Sequence, residues 1–183
     1  DESAFPSKRP ILDREAENEA LADAENLFTA LAAAAQEKSG CPAIFATLPG
    51  AMQVSSVELA TLGTSARFRH RINLMLADGA MEGRWLLWDQ AALASRVGLD
   101  KWLDPVRYHA AKIPFSVDVC PLAADNIAAL LAAMKGKAAR GIILDLDNTL
   151  WGGVIGDDGL AGIRLGQNSP EGEAFVAFQN FVL

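Results

Sequence analysis

Two acidic residues stand at the end of a short apolar run. The stretch reads GIILDLDNTLWGG over residues 141–153, where Asp145 and Asp147 follow Ile142–Leu144 and are separated by one leucine. The run is typical of a buried strand. A strand would turn both carboxylates to one face, about 6.6 Å apart, and like charges at that distance repel unless a positive group lies between them. The pattern therefore predicts a functional site.

The chemistry that this pair supports begins with a metal ion. Carboxylate oxygens suit a hard divalent cation, and Mg²⁺ also attracts a phosphate and neutralises its charge. One aspartate would then be the nucleophile and the other a proton carrier, because the first must stay ionised and the second must exchange its proton. We expect Mg²⁺ as the cofactor and a phosphorylated small molecule as the substrate.

Alternating helices and strands must position these residues. The alternation predicts βαβ units, a parallel sheet and the α/β class. Ligands collect at the carboxyl ends of strands in such sheets, which is where the two aspartates stand. The predicted helices lie at 14–38, 64–78, 90–98, 121–136 and from Pro170, with a helical turn near 106–112, and the predicted strands lie within 41–50, 83–89 and 141–147.

Composition excludes several classes of protein. The chain has 183 residues, 51% of them hydrophobic, which allows one domain or one and part of a second. A net charge of -7 argues against nonspecific nucleic-acid binding and against an anionic membrane surface. The two cysteines are expected to be reduced thiols. We find no leader and no apolar stretch long enough to span a bilayer, so we expect a soluble, cytoplasmic protein.

Other polar residues have simpler interpretations. Arg67, Arg69 and Arg71 form a basic run on a predicted helix, either a solvated face or a docking patch for an acidic partner. His109 follows Asp104 by five residues, not three as in Asp-x-x-His, and is interpreted as structural. Packing is expected of Trp85, Trp88, Trp102, Cys41 and Cys120, and no metal is expected at Asp157 or Asp158.

The segment around the two aspartates resembles a known family. DLDNTLW matches the Asp-x-Asp-x-Thr signature of the haloacid dehalogenase (HAD) superfamily of phosphotransferases, and its extension through SPEGEAFVAFQ resembles the FkbH-like branch, subfamily IIIC. The resemblance implies that Asp145 is the nucleophile and that Asp147 protonates the leaving group. It implies phosphoryl contacts from Thr149 and Asn148. It also implies that Asp145 and the main-chain carbonyl of Asp147 hold Mg²⁺, and that 154–166 form a hairpin flap.

The preceding region resembles the N-terminal portion of longer FkbH-like proteins, which is similar to SGNH esterases. The stretch WLLWDQAALASRVGLDKWLDPVRYHAAKIPFS carries this resemblance. It implies a three-layer, parallel-sheet SGNH-like (flavodoxin-like) domain over 1–137, without its first strand, and the start of a HAD-like Rossmannoid domain over 138–183. The sequence has no initiator Met and no Gly-Asp-Ser nucleophile, and the remaining HAD motifs would lie beyond Leu183. We therefore expect a fragment that is inactive alone.

The resemblance also implies a reaction. FkbH-like proteins are associated with moving a glyceryl unit from 1,3-bisphosphoglycerate to the phosphopantetheine thiol of an acyl carrier protein, with loss of phosphate, in polyketide biosynthesis. An acyl carrier protein is thus an implied partner. Two alternatives concern the first 137 residues: a noncatalytic module that binds a carrier protein or another partner, and an SGNH-type esterase or acyltransferase.

Overall fold

The computed structural model describes residues 13–50, 57–167 and 169–183. The chain forms two compact units, Asp1–Gly136 and Lys137–Leu183. Among the described residues, the first unit contains two strands and six helices, and the second contains two helices.

The helices begin and end where local signals place them. Asp13 accepts a hydrogen bond from the Ala16 amide (2.8 Å), and the Ser169 hydroxyl accepts one from the Gly172 amide (3.0 Å). Such caps satisfy amides that have no partner within the helix. The predicted helices are confirmed, with ends shifted by a few residues. They are α1 (Arg14–Ser39), α2 (Ser65–Met81), α3 (Gln90–Val97), α5 (Pro105–Ala111), α6 (Cys120–Met134) and α8 (Pro170–Val182). The structure adds two helices that were not predicted, α4 (Leu99–Trp102) and α7 (Ile155–Gly162), and 3₁₀ turns at Glu58–Ala60 and Val117–Val119.

The first unit contains a small parallel sheet. Strand β1 (Ile44–Ala46) pairs with β2 (Leu86–Trp88), and Phe45 lies opposite Leu87. The ladder extends at one end through the Leu86 amide and the Ala43 carbonyl (2.9 Å). Helix α2 connects the two strands, which makes the βαβ unit that parallel pairing requires. The α/β class predicted from the alternation is confirmed: the structure is mostly helical with a small parallel sheet.

The first hydrophobic core joins α1, α2 and the sheet. Ile72 and Leu76 of α2 are fully buried there, together with Trp85. The Trp85 indole donates to the Leu76 carbonyl (2.9 Å), which satisfies its polar edge. Gly79 allows this approach, because a Cβ at that position would overlap the Trp85 ring. The expected packing role of Trp85 is confirmed.

A second core surrounds Trp102. This side chain is 0% exposed and packs with Leu93, Ala94 and Val119. The Phe115 ring lies 5.3 Å from Trp102 and 6.1 Å from Trp88, centroid to centroid. The expected packing of Trp102 is confirmed, and Trp88 is half-buried. Neither of these two indole N–H groups meets an acceptor in the part of the chain that the structure describes.

The basic run of α2 is paired with a carboxylate of α1 rather than fully solvated. Glu17 of α1 is 1% exposed and accepts from Arg67 Nε (2.8 Å) and Arg71 Nη1 (2.5 Å). Arg71 also donates to the Asn18 side chain (2.8 Å). Arg69 is buried. The interpretation as a solvated face was therefore wrong, because a carboxylate 50 and 54 residues upstream binds two of the guanidinium groups and joins α1 to α2. The interpretation as a docking patch stays a prediction.

One apolar segment in the first unit differs from expectation. By length and composition alone, Val117–Met134 is long and apolar enough to cross a membrane, although we predicted no such stretch. One such segment is weak evidence for a membrane span, since core helices of soluble proteins can be equally long and apolar. Val119 and Ala123 are buried in the first unit, and only 11% of the segment's residues are buried.

The second unit corrects the prediction of a strand over 141–147. Residues 141–145 have no regular secondary structure, and Asp147 makes one isolated bridge with Trp151. Ile142 and Ile143 are 66% and 103% exposed. A strand needs a neighbouring segment to receive its backbone hydrogen bonds, and no described segment takes that place. The apolar pattern of the sequence does not show whether a neighbouring strand is present.

The predicted hairpin flap over 154–166 is also different. An antiparallel bridge between Gly152 and Arg164 closes the segment, with N···O distances of 3.0 and 2.7 Å. The residues between them form α7 instead of a tight turn, with a break at Gly159, whose φ is 65°. The Asp158 carboxylate accepts from the Val154 amide (2.8 Å) and so stabilises the first turn of α7.

Candidate active site

Of the two predicted catalytic aspartates, Asp147 has the carboxylate that accepts more hydrogen bonds. It is half-buried, and its Oδ1 accepts from the Trp151 indole Nε1 (3.0 Å) and from the Ile155 amide (3.2 Å). Both donors reach the same oxygen. A tight turn makes this possible, because the Leu150 and Thr149 amides both donate to the Leu146 carbonyl (2.8 and 3.2 Å).

Asp145 lies in a more open position. It is exposed, and its Oδ1 accepts from the amide of the next residue, Leu146 (2.8 Å). This local bond orients the carboxylate at the entrance to the turn. The two aspartates thus share one short segment but have separate hydrogen-bond partners. An exposed carboxylate with one local bond is accessible to a ligand from solvent.

Asn148 stays a predicted substrate-binding residue, and the structure also gives it a role in closing the turn. Its φ is 55°, a left-handed conformation that asparagine tolerates better than most residues. Its Oδ1 accepts from the Gly153 amide (2.8 Å), and its own amide donates to the Gly153 carbonyl (3.2 Å). These bonds close the segment 148–153. Thr149 is half-buried within it.

Sequence reasoning missed two residues that hold this turn. Trp151 donates to Asp147, and Gln179 of α8 donates through Nε2 to the Leu150 carbonyl (2.7 Å). The signal for Trp151 was available, since it follows the second aspartate by four residues, a spacing at which side chains meet on a helical turn. The contact of Gln179 spans 29 residues and had no local signal.

The carboxylate oxygens of this segment are the type of ligand that magnesium prefers. Mg²⁺ keeps several waters and is usually bound through one or two carboxylates together with substrate phosphates. The segment supplies two aspartates at 145 and 147. In the described residues no group of three or more His, Cys, Asp or Glu side chains forms a metal cage. The donor set therefore fits an ion that shares its coordination with substrate and water.

The other candidates of the sequence form no site. Asp104 accepts from the Arg107 amide (3.0 Å) and from its guanidinium (2.9 Å), so it caps α5 rather than orienting His109. The His109 ring stacks edge-on against Tyr108, with centroids 5.5 Å apart. Cys41 and Cys120 are exposed free thiols rather than packed side chains. These positions support no esterase dyad.

The chain was compared with known proteins at the level of family, sequence and structure. No protein-family model matches it, and no curated protein matches it at a significant level. It is similar in structure to the N-terminal part of protein BF1531 from Bacteroides fragilis, which contains a phosphatase domain and was crystallised in complex with Mg. The TM-score is 0.78 at 25% sequence identity, covering 94% of this chain. The match covers 46% of that chain, so our protein spans less than half of its length.

Proposed function

We propose that this protein is a magnesium-dependent phosphatase that acts on a phosphorylated small molecule. The observation that carries the proposal is the structural similarity over 94% of the chain to a protein that contains a phosphatase domain and binds Mg. The exposed carboxylate of Asp145, two residues before the hydrogen-bonded carboxylate of Asp147, supports it.

The two aspartates divide the work in this proposal. A carboxylate oxygen of Asp145 attacks the phosphorus atom, and the bond to the leaving oxygen breaks as Asp147 donates a proton to it. Water then attacks the aspartyl-phosphate while Asp147 accepts its proton, which releases inorganic phosphate and restores Asp145. This division suits an exposed nucleophile and a more enclosed acid–base group.

Magnesium would be held by the Asp145 carboxylate and the main-chain carbonyl of Asp147. Bound there, it would neutralise the charge of the transferring phosphoryl group. Thr149 would donate its hydroxyl to a phosphoryl oxygen. Asn148 would be the second substrate-binding residue, and it also keeps the turn closed through Gly153.

We assign the protein, more finely, to the FkbH-like branch of the HAD superfamily. The support is the motif DLDNTLW and its extension. On this assignment residues 1–137 form an SGNH-like domain, and 138–183 form the start of the HAD-like domain. The substrate would be 1,3-bisphosphoglycerate, and the acceptor of the glyceryl unit would be an acyl carrier protein in the cytoplasm.

Asp145→Asn in the full-length gene product tests the phosphatase proposal. We expect Mg²⁺-dependent release of phosphate from p-nitrophenyl phosphate or 1,3-bisphosphoglycerate to fall about a thousandfold or more, since the variant lacks the nucleophile. Acid-stable, hydroxylamine-labile phosphate on the protein should disappear with it. Asp157→Asn changes an exposed aspartate in the same unit and should retain both signals. Undiminished turnover in Asp145→Asn, or no turnover in the parent protein, would contradict the proposal.

A further inference from the structure

The two donors to Asp147 leave its oxygens unequal. Oδ1 accepts from the Trp151 indole at 3.0 Å and from the Ile155 amide at 3.2 Å. In the described residues, no hydrogen bond reaches Oδ2. Because two N–H donors occupy Oδ1, a proton on this carboxyl group would be placed on Oδ2.

Trp151 is held in turn by the backbone around it. Gln179 fixes the preceding carbonyl, that of Leu150, at 2.7 Å. The next residue, Gly152, bridges to Arg164 on its other side. A Cβ at Gly152 would lie 2.9 Å from Arg164 Nε, so the backbone here is tightly enclosed. The backbone of Trp151 is therefore held in place, so that its indole N–H can orient the Asp147 carboxylate.

We propose that Trp151 is a positioning residue, whose indole N–H holds Asp147 so that Oδ2 alone exchanges the catalytic proton. This inference rests on the proposed function. In the first half-reaction the Oδ2–H bond breaks and the leaving alkoxide gains that proton as its bond to phosphorus breaks. In the second, the attacking water loses a proton to Oδ2 as the aspartyl–phosphorus bond breaks.

The hydrogen bond itself is tested by NMR on the 183-residue chain. Its four tryptophans give four indole ¹⁵N–¹H resonances, and loss of a resonance in Trp151→Phe identifies one of them. Asp147→Asn should shift this resonance, because a neutral amide replaces a charged acceptor. Asp145→Asn is the matched control and should leave it in place. If the Trp151 resonance does not move in Asp147→Asn, the inference is overturned. This test does not require an active enzyme.

Kinetics of the full-length gene product test the consequence. Trp151→Phe keeps an aromatic ring but removes the donor. We expect kcat for an alkyl phosphate to fall about tenfold or more, with KM unchanged within about twofold, because the poorly oriented acid must protonate an alkoxide. The loss should be much smaller for p-nitrophenyl phosphate, whose leaving group departs without a proton.

Trp88→Phe is the matched control for loss of an indole. Its Nε1 has no acceptor among the described residues, so the variant should affect both substrates equally or not at all. Equal losses for both substrates in Trp151→Phe would overturn the inference while the proposed function stands. Turnover that survives Asp145→Asn would instead remove the proposed function, and the NMR result would still report on the hydrogen bond.

Discussion

At the scale of single residues, Glu17 places a charge in the interior of the first unit. Burial alone would raise the pKa of its carboxyl, but hydrogen bonds and positive charges from Arg67 and Arg71 outweigh this effect. The pKa is therefore lowered from its ordinary value of 4.5. The ion pairs thus contribute stability that is complete above the unfolded pKa and is lost as the pH falls through the folded pKa.

Glu17→Gln should lower the free energy of unfolding at pH 7 by about 2 kcal/mol, because it leaves two guanidinium groups without their charged partner. Below about pH 4.5 the difference from the parent should begin to shrink, because the unfolded parent then binds a proton that the folded parent binds only at lower pH. Urea unfolding at pH 7 and pH 3.5 measures both effects. Glu19→Gln, an exposed change on the same helix, should shift neither value by more than about 0.5 kcal/mol.

The residue scale also marks the limit of sequence reasoning. The types and spacing of Asp145 and Asp147 were sufficient to nominate a phosphate site. The partners of Arg67 and Arg71 were not predictable, because Glu17 lies 50 and 54 residues away and meets them only after α1 packs on α2. Charge patterns report which groups need partners, and tertiary packing decides which groups they find.

At the scale of elements, the closed turn 148–153 depends on one side chain. Asn148 combines a left-handed backbone with an acceptor for the Gly153 amide. Asn148→Gly permits the same backbone but removes the acceptor. We expect hydrogen exchange at the Gly153 amide to accelerate about fivefold or more, in line with a loss of about 1 kcal/mol.

Asn148→Asp provides the comparison, because it retains an oxygen acceptor at the same place. Exchange at Gly153 should remain close to that of the parent chain in this variant. Equal acceleration in both variants would mean that the side chain does not protect this amide.

Elements with local signals were predictable, and elements that need a distant partner were not. The helices α1 and α8 were predicted from the sequence, and the structure shows that Asp13 and Ser169 cap their starts within a single turn. The segment 141–147 has the apolar pattern of a strand but lacks a described neighbour for its backbone. The same pattern succeeded at β1, because β2 pairs with it.

At the scale of the whole molecule, the two units differ in how much apolar surface they bury. The buried hydrophobic side chains of the described residues all precede residue 124. In the described part of Lys137–Leu183 the buried residues are three glycines: Gly152, Gly153 and Gly172. Burial of apolar area is the main source of stability, so the second unit has little of its own.

Hydrogen exchange of the intact chain should reveal this difference. Amides of α2 and β1 should exchange most slowly, through global unfolding of the first unit. Amides of α8 should exchange at least about a hundredfold faster, through local opening. Mass spectrometry after peptic digestion measures both regions in one sample. Equal protection of α2 and α8 would contradict this account.

The exposed side chains of Ile142 and Ile143 have a practical consequence for handling the 183-residue chain. An unpaired, β-branched segment is a template for strand pairing between molecules, so concentrated solutions should self-associate through it. Asp145 lies two residues away and would be covered in such aggregates. Protein concentration would thus decide how much of a preparation presents its nucleophile to a substrate.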